Sequence, residues 1–176
     1  KEEFVKAIQN DDYDNLLNAF EIKQGDFFYI PSGTLHAICR GSLIYEAQQS
    51  SDITYRVYDY HRKGVDGKER QLHVKQSIDV TNVPANIDQN KKFAKTDLEN
   101  GTKTRYVDSE FFKVDRYVLN GKNTIINDAP FQMVSVTEGN GIMEGTSVKK
   151  GDHFVICSDQ KETVFDGTME LMITTL

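Results

Sequence analysis

The chain has 176 residues, with 21 Lys and Arg against 27 Asp and Glu, four His, two Cys and no Trp. That length allows one domain or two small ones and is enough to bury a core. A net charge of −6 argues against nonspecific binding to nucleic acid or anionic membrane, and no segment approaches the roughly 20 apolar residues that cross a bilayer as a helix.

Residues 1–20 read as helical, because Phe4, Val5 and Ile8, then Leu16, Leu17 and Phe20, recur at three- and four-residue spacing. Asn10-Asp11-Asp12 interrupts that pattern. From Gly25 the character changes. Phe27-Phe28-Tyr29-Ile30 is a short aromatic run between Gly25-Asp26 and Pro31-Ser32-Gly33, which predicts a strand between two turns. Residues 35–39, 43–47 and 53–59 are further strand candidates, 61–70 is a polar loop carrying Gly64 and Gly67, and 73–80 fits a strand or a short helix. Residues 84–104, opened by Pro84 and rich in Asn, Asp and Lys, read as a linker. Strand candidates then return at 111–119, 124–126, 131–137, 141–144, 154–157 and 171–174. Many short strands with regular turns predict a mainly β sandwich, jelly roll or small barrel.

An internal echo supports two copies of one β fold. Gly25–Gly33 can be laid over Gly151–Asp159, 126 residues on, with five of nine places identical. The second copy carries Glu162 where the first carries His36.

Gly25, Pro31, Gly33 and His36 form the most specific spacing in the chain. Glycine permits a positive φ and proline fixes φ, so together they set a His at the start of a returning strand. Strand parity would put His36, Ile38 and Arg40 on one face and Cys39 on the other, where it reads as a buried apolar residue. Ile44, Glu46 and Gln48 would share a face, and Glu46 could carry a proton. Arg56 has the planar fork suited to an anion, and Arg62 six residues on could add charge to a phosphate pocket. On residue type alone, a solvated surface for Glu46, Arg56 and Arg62 competes with these readings.

The Gly25–His36 spacing resembles the second signature motif of cupins. Phe28 to Ile38, then Tyr45 to Asp59, then His73 to Val80 resemble type I phosphomannose isomerases in their short bacterial form. The resemblance implies a cupin jelly roll, here a bicupin with a short helical segment at its N-terminal end. Residues 1–83 would hold that segment and part of a catalytic cupin, 84–104 a linker, and 105–176 a second, degenerate cupin. It implies a zinc-dependent enzyme that interconverts mannose 6-phosphate and fructose 6-phosphate. His36 would be a zinc ligand, Arg56 the active-site arginine, Arg62 the basic residue six places on, and Glu46 an acidic residue near the metal. The family's other zinc ligands have no counterpart upstream of His36. With a first residue that is not Met, no signal-peptide pattern and too few cysteines for a disulfide framework, the expectation is a cytoplasmic C-terminal portion of a longer enzyme, inactive alone and monomeric. A non-catalytic sugar-phosphate-binding cupin, or another metal-dependent cupin enzyme, is the alternative.

Overall fold

The computed structural model describes residues 1–51, 53–85 and 93–176. It divides into two compact units. The first comprises Lys1–Tyr45 and Ser50–Gln89, and the second Glu46–Gln49 and Asn90–Leu176.

In the first unit the predicted helical stretch condenses to α1 (Glu2–Gln9), whose first turn carries Glu2 and Glu3 against the positive end of the helix dipole. Its buried residues, Phe4 and Ile8, pack with Val57, flanked by Tyr13, Leu16, Leu35, Val74 and Ile78. Residues 73–80 resolve as a helix, α2 (Val74–Val80). Here Ser77 is buried and its Oγ donates to the His73 carbonyl, 2.8 Å away.

Between the helices, the turns predicted at Gly25-Asp26 and Pro31-Ser32-Gly33 are present, and a third glycine of positive φ follows at Gly41. Gly25, Gly33 and Gly41 have φ of 92°, 80° and 88° and recur every eight residues. The strands expected at 27–30, 35–39, 43–47 and 53–59 are not formed among the described residues, where the first unit holds only an isolated bridge, Lys63 to Glu69. Hydrophobic alternation can mark a strand, but a strand exists only where a neighbour accepts its hydrogen bonds. No such ladder is made here, and Leu43 and Ile53 remain 92% and 70% exposed. Cys39, expected to be buried, is exposed for the same reason.

The second unit is an antiparallel sheet of eight strands among the described residues. They are β1 (Ala94–Leu98), β2 (Gly101–Asp108), β3 (Lys113–Asn120), β4 (Asn123–Ile126), β5 (Phe131–Met143), β6 (Thr146–Lys149), β7 (His153–Cys157) and β8 (Glu162–Thr175). The order is β1-β2-β3-β8-β5-β6, with β4 also on β8 and β7 also on β5. Much of the segment read as linker is therefore a hairpin, β1 and β2 joined through Glu99-Asn100, while 86–92 lie outside the described residues. Its first strand, Ala-Lys-Thr-Asp-Leu, is exposed at four of five positions, so it carries no apolar alternation to read.

Period-two alternation explains the core. Phe165, Met169, Leu171 and Ile173 of β8 face Tyr117 and Leu119 of β3 and Val134 and Val136 of β5. The long β5 and β8 approach closely where Gly141 faces Gly167, and a Cβ on Gly167 would stand 2.6 Å from the Gly141 Cα. Side chains cannot fit that crossing.

Candidate functional site

His36 follows a turn in which the Thr34 N–H donates to the Pro31 carbonyl, 3.2 Å away. Gly33 is required there twice over. Its φ is +80°, and a Cβ would lie 2.6 Å from the Asn82 amide nitrogen. Asn82 also donates through its backbone N–H to the Gly33 carbonyl at 2.8 Å and through its side chain to Ser32 at 3.2 Å. The turn is thus docked on the segment after α2. The exposed His36 ring lies with Nδ1 2.9 Å from the Thr34 carbonyl. A carbonyl only accepts, so Nδ1 carries the proton and the Nε2 lone pair is free to bind an electrophile.

That is the tautomer a metal-ligating histidine needs. A catalytic zinc centre takes three protein ligands, however, and the described residues contain no group of three or more His, Cys, Asp or Glu suited to a metal. His36 fits as one donor; the described residues do not make a zinc site by themselves.

Arg56 lies at the neck of an excursion, residues 59–70, within the first unit. Across the neck, the His73 N–H donates to the Arg56 carbonyl at 2.7 Å, and the Arg56 N–H to His73 Nδ1 at 3.3 Å. The Arg56 guanidinium, half-buried, donates to the Gln71 carbonyl at 3.3 Å. One step outward, Arg70 grips Asp59 with two parallel hydrogen bonds. Beyond them His61 faces Glu69 at 3.5 Å, and the tip closes where the Gly64 N–H meets the Lys68 carbonyl at 2.8 Å. The exposed Arg62 lies over the Tyr60 ring, 5.1 Å from its centre, within cation–π range.

Electrostatics around Asp59 are one-sided. Hydrogen bonding from Arg70 holds its carboxyl below the usual range; desolvation opposes this, and the charges of Arg70, Arg56 and Arg62 reinforce it. In turn Asp59 raises the Arg70 pKa. The charges of three guanidinium groups thus act on one carboxylate, with Arg70 alone in contact; set against Asp59 and the nearby Glu69 they leave an excess of positive charge for an anion such as a phosphate. A recess here is lined by Tyr58, Asp59, His61, Arg62, Glu69, Arg70 and Leu72; Arg56 lies outside it.

Of the residues singled out in the sequence, Arg56 and Arg62 share this neighbourhood. His36 lies in the glycine-turn segment of the same unit, and Glu46, exposed, is grouped with the second unit. Asp59, Arg70 and His73 were not picked out. The available signal was the pair of glycines in the polar loop, flanked by Lys63 and Glu69, which makes 59 and 70 neighbours across a hairpin.

Residues 102–176 match the family described as "Mannose-6-phosphate isomerase, cupin domain". Over 98% of its length the chain is 42% identical to a mannose-6-phosphate isomerase of Streptococcus mutans, covering 55% of that protein. Over 100% it is 40% identical to mannose-6-phosphate isomerase ManA of Bacillus subtilis, covering 57% of it. The crystal structure of a Bacillus subtilis mannose 6-phosphate isomerase superposes with a TM-score of 0.92 at 37% identity, over 99% of this chain and 56% of that one. The mainly β cupin architecture is therefore that of these proteins, and the chain, which spans about half the length of the curated relatives it matches, is similar along its length to mannose-6-phosphate isomerases and matches their cupin domain over residues 102–176.

Proposed function

We propose that the chain is the C-terminal portion of a zinc-dependent isomerase that interconverts mannose 6-phosphate and fructose 6-phosphate. The observation that carries this is similarity along the whole chain to mannose-6-phosphate isomerases, with the arginine cluster of residues 56–70 as its chemical support.

An aldose–ketose interconversion moves a proton between C1 and C2 through an enediol. Zinc, when bound, supplies Lewis-acid polarisation of the sugar carbonyl. His36 offers one Nε2 donor, and the remaining ligands come from sequence outside this chain. Arg56 holds negative charge on the substrate or intermediate, with a fixed fork that needs no reorganisation as charge develops. Arg62 adds charge toward the phosphate. Glu46 is the proposed proton carrier, a role that requires it within hydrogen-bond reach of C1 or C2 in the complex.

The setting proposed is cytoplasmic and monomeric, without nucleic-acid or membrane partners. Both cysteines are free, as in a reducing compartment, and no helix of the described residues is long and apolar enough to cross a membrane.

The test is to assay the 176-residue chain beside the full-length gene product. The chain alone is expected to be inactive and to retain little zinc; the longer protein is expected to turn over with about one zinc per active site. Turnover by the chain alone would refute the portion reading. Sugar-phosphate binding without turnover by the longer protein would establish a binding cupin instead, and an oxygen requirement another metal enzyme.

A further inference from the structure

We propose that Asp59 and Arg70 are positioning residues, a lock that sets the Arg56 and Arg62 guanidinium groups by closing the neck of the 59–70 excursion. The inference rests on the reading of Arg56 as the arginine that meets substrate charge.

Connectivity is the first argument. Arg56 donates to the Gln71 carbonyl, and Gln71 adjoins Arg70, whose fork holds Asp59. Any slip of Arg70 along Asp59 moves the carbonyl that aims Arg56. On the other strand of the neck, the Arg62 N–H donates to the Asp59 carbonyl at 3.0 Å, so Arg62 hangs from the same residue. One ion pair thus sits between two arginines and touches the backbone that orients each.

The second argument is strain. Tyr60 and His61, between Asp59 and Arg62, have φ of 55° and 52°. Two consecutive non-glycine residues in the left-handed region persist only where their surroundings hold them. Tyr58 helps, packing on Tyr60 at 5.0 Å and edge-on to His61 at 5.7 Å. Without the Asp59–Arg70 closure, residues 60 and 61 can relax to ordinary backbone and carry Arg62 away.

Burial is the third. Asp59 is 8% exposed, beside the exposed residues 60–70. A carboxylate taken that far from water is tolerated because it is paired, here with the half-exposed Arg70. The two-point fork fixes direction as well as distance, which a single ammonium contact would not.

The experiment compares Asp59→Asn, Arg70→Gln, Arg70→Lys and Arg56→Ala in the full-length enzyme, measuring kcat, KM and zinc content. Asp59→Asn and Arg70→Gln are each expected to lower kcat/KM for mannose 6-phosphate by about 100-fold, the scale of a roughly 1 Å misplacement of a catalytic group, with zinc content unchanged. The double variant should be no worse than either single one, and Arg70→Lys should recover part of the loss. If folded Asp59→Asn or Arg70→Gln has wild-type kcat and KM, with only its melting temperature lowered, the lock is merely structural and the proposal is overturned. Should both fail to fold, Arg70→Lys decides alone: a loss of kcat/KM sustains the lock, and wild-type kinetics refute it. Undiminished turnover by Arg56→Ala would instead sink the reading of Arg56, whatever the lock variants do.

Discussion

Two turns, 126 residues apart, have the same geometry and different consequences. In Lys23-Gln24-Gly25-Asp26 and Lys149-Lys150-Gly151-Asp152, the glycine φ is 92° in both. The Asp N–H donates to the Lys carbonyl at 3.1 and 3.0 Å, and the Asp carboxylate accepts from the Lys N–H at 2.9 and 2.8 Å. A positive φ at the third position is what a type II turn requires of Gly, and the Asp side chain closing back on the first residue braces it further. After the second turn, β7 pairs with β5. After the first, Phe28, Tyr29 and Ile30 stay exposed, with no ladder formed among the described residues. Turn chemistry is local and is satisfied within four residues; a strand is a relation between segments and needs its partner.

The largest expected effect lies on the paired side. Leu171→Ala empties a fully buried position between β3 and β5 and should cost about 2–5 kcal/mol, read by denaturant unfolding or by hydrogen exchange of β3, β5 and β8. A cost under about 1 kcal/mol would mean that the core of the second unit is not the one described. On the unpaired side, Gly33→Ala combines a positive φ with a clash against Asn82 and should cost about 1–3 kcal/mol, seen as lost protection around α2. Gly25→Ala and Gly151→Ala meet nothing within 4 Å, so only backbone strain remains. Each should cost about 1–2 kcal/mol, and equally. Unequal costs would break the equivalence of the turns.

A pH series distinguishes the units further. Asp59 has a lowered pKa in the folded chain, so its contribution is present above the unfolded-state carboxylate pKa and fades as pH falls through the lower folded value. Acid titration followed by exchange of residues 56–73 should show the neck weakening in that window in wild type and not in Asp59→Asn. The smallest effect is expected at Leu43, 92% exposed: Leu43→Ala should shift the stability of this chain by no more than about 0.5 kcal/mol. A larger loss in the full-length protein than in this chain would show that a segment outside it covers Leu43.

Legibility in the sequence follows the same division. The strands expected at 111–119, 124–126, 131–137 and 154–157 fall on β3, β4, β5 and β7, while 171–174 covers only the end of β8, although Phe165 and Met169 continue its alternation; β1 and β6 (Thr-Ser-Val-Lys) are too polar to stand out. The turns at Gly25 and Gly33 were readable, because the cause of each is contained in four residues. The strands between those turns were over-read, since alternation reports what a segment would bury and not whether a neighbour is there. Arg56 and Arg62 were legible as residue types in a recognisable motif. Arg70 was not, because its role comes from standing opposite Asp59 across a loop of ten intervening residues, a distance no local pattern spans.

The tip of that loop has a consequence for the protein's capacity to vary. Between the Asp59–Arg70 pair and the solvent, the Gly64–Lys68 closure forms a second seal, and Val65 beyond it is fully exposed. Changes in length or composition at 65–67 are insulated from the arginines by two successive closures. Residues added there cost only the slow logarithmic entropy of a longer loop. The excursion is therefore a natural place for relatives to drift, and for an inserted tag or reporter to be carried without moving Arg56.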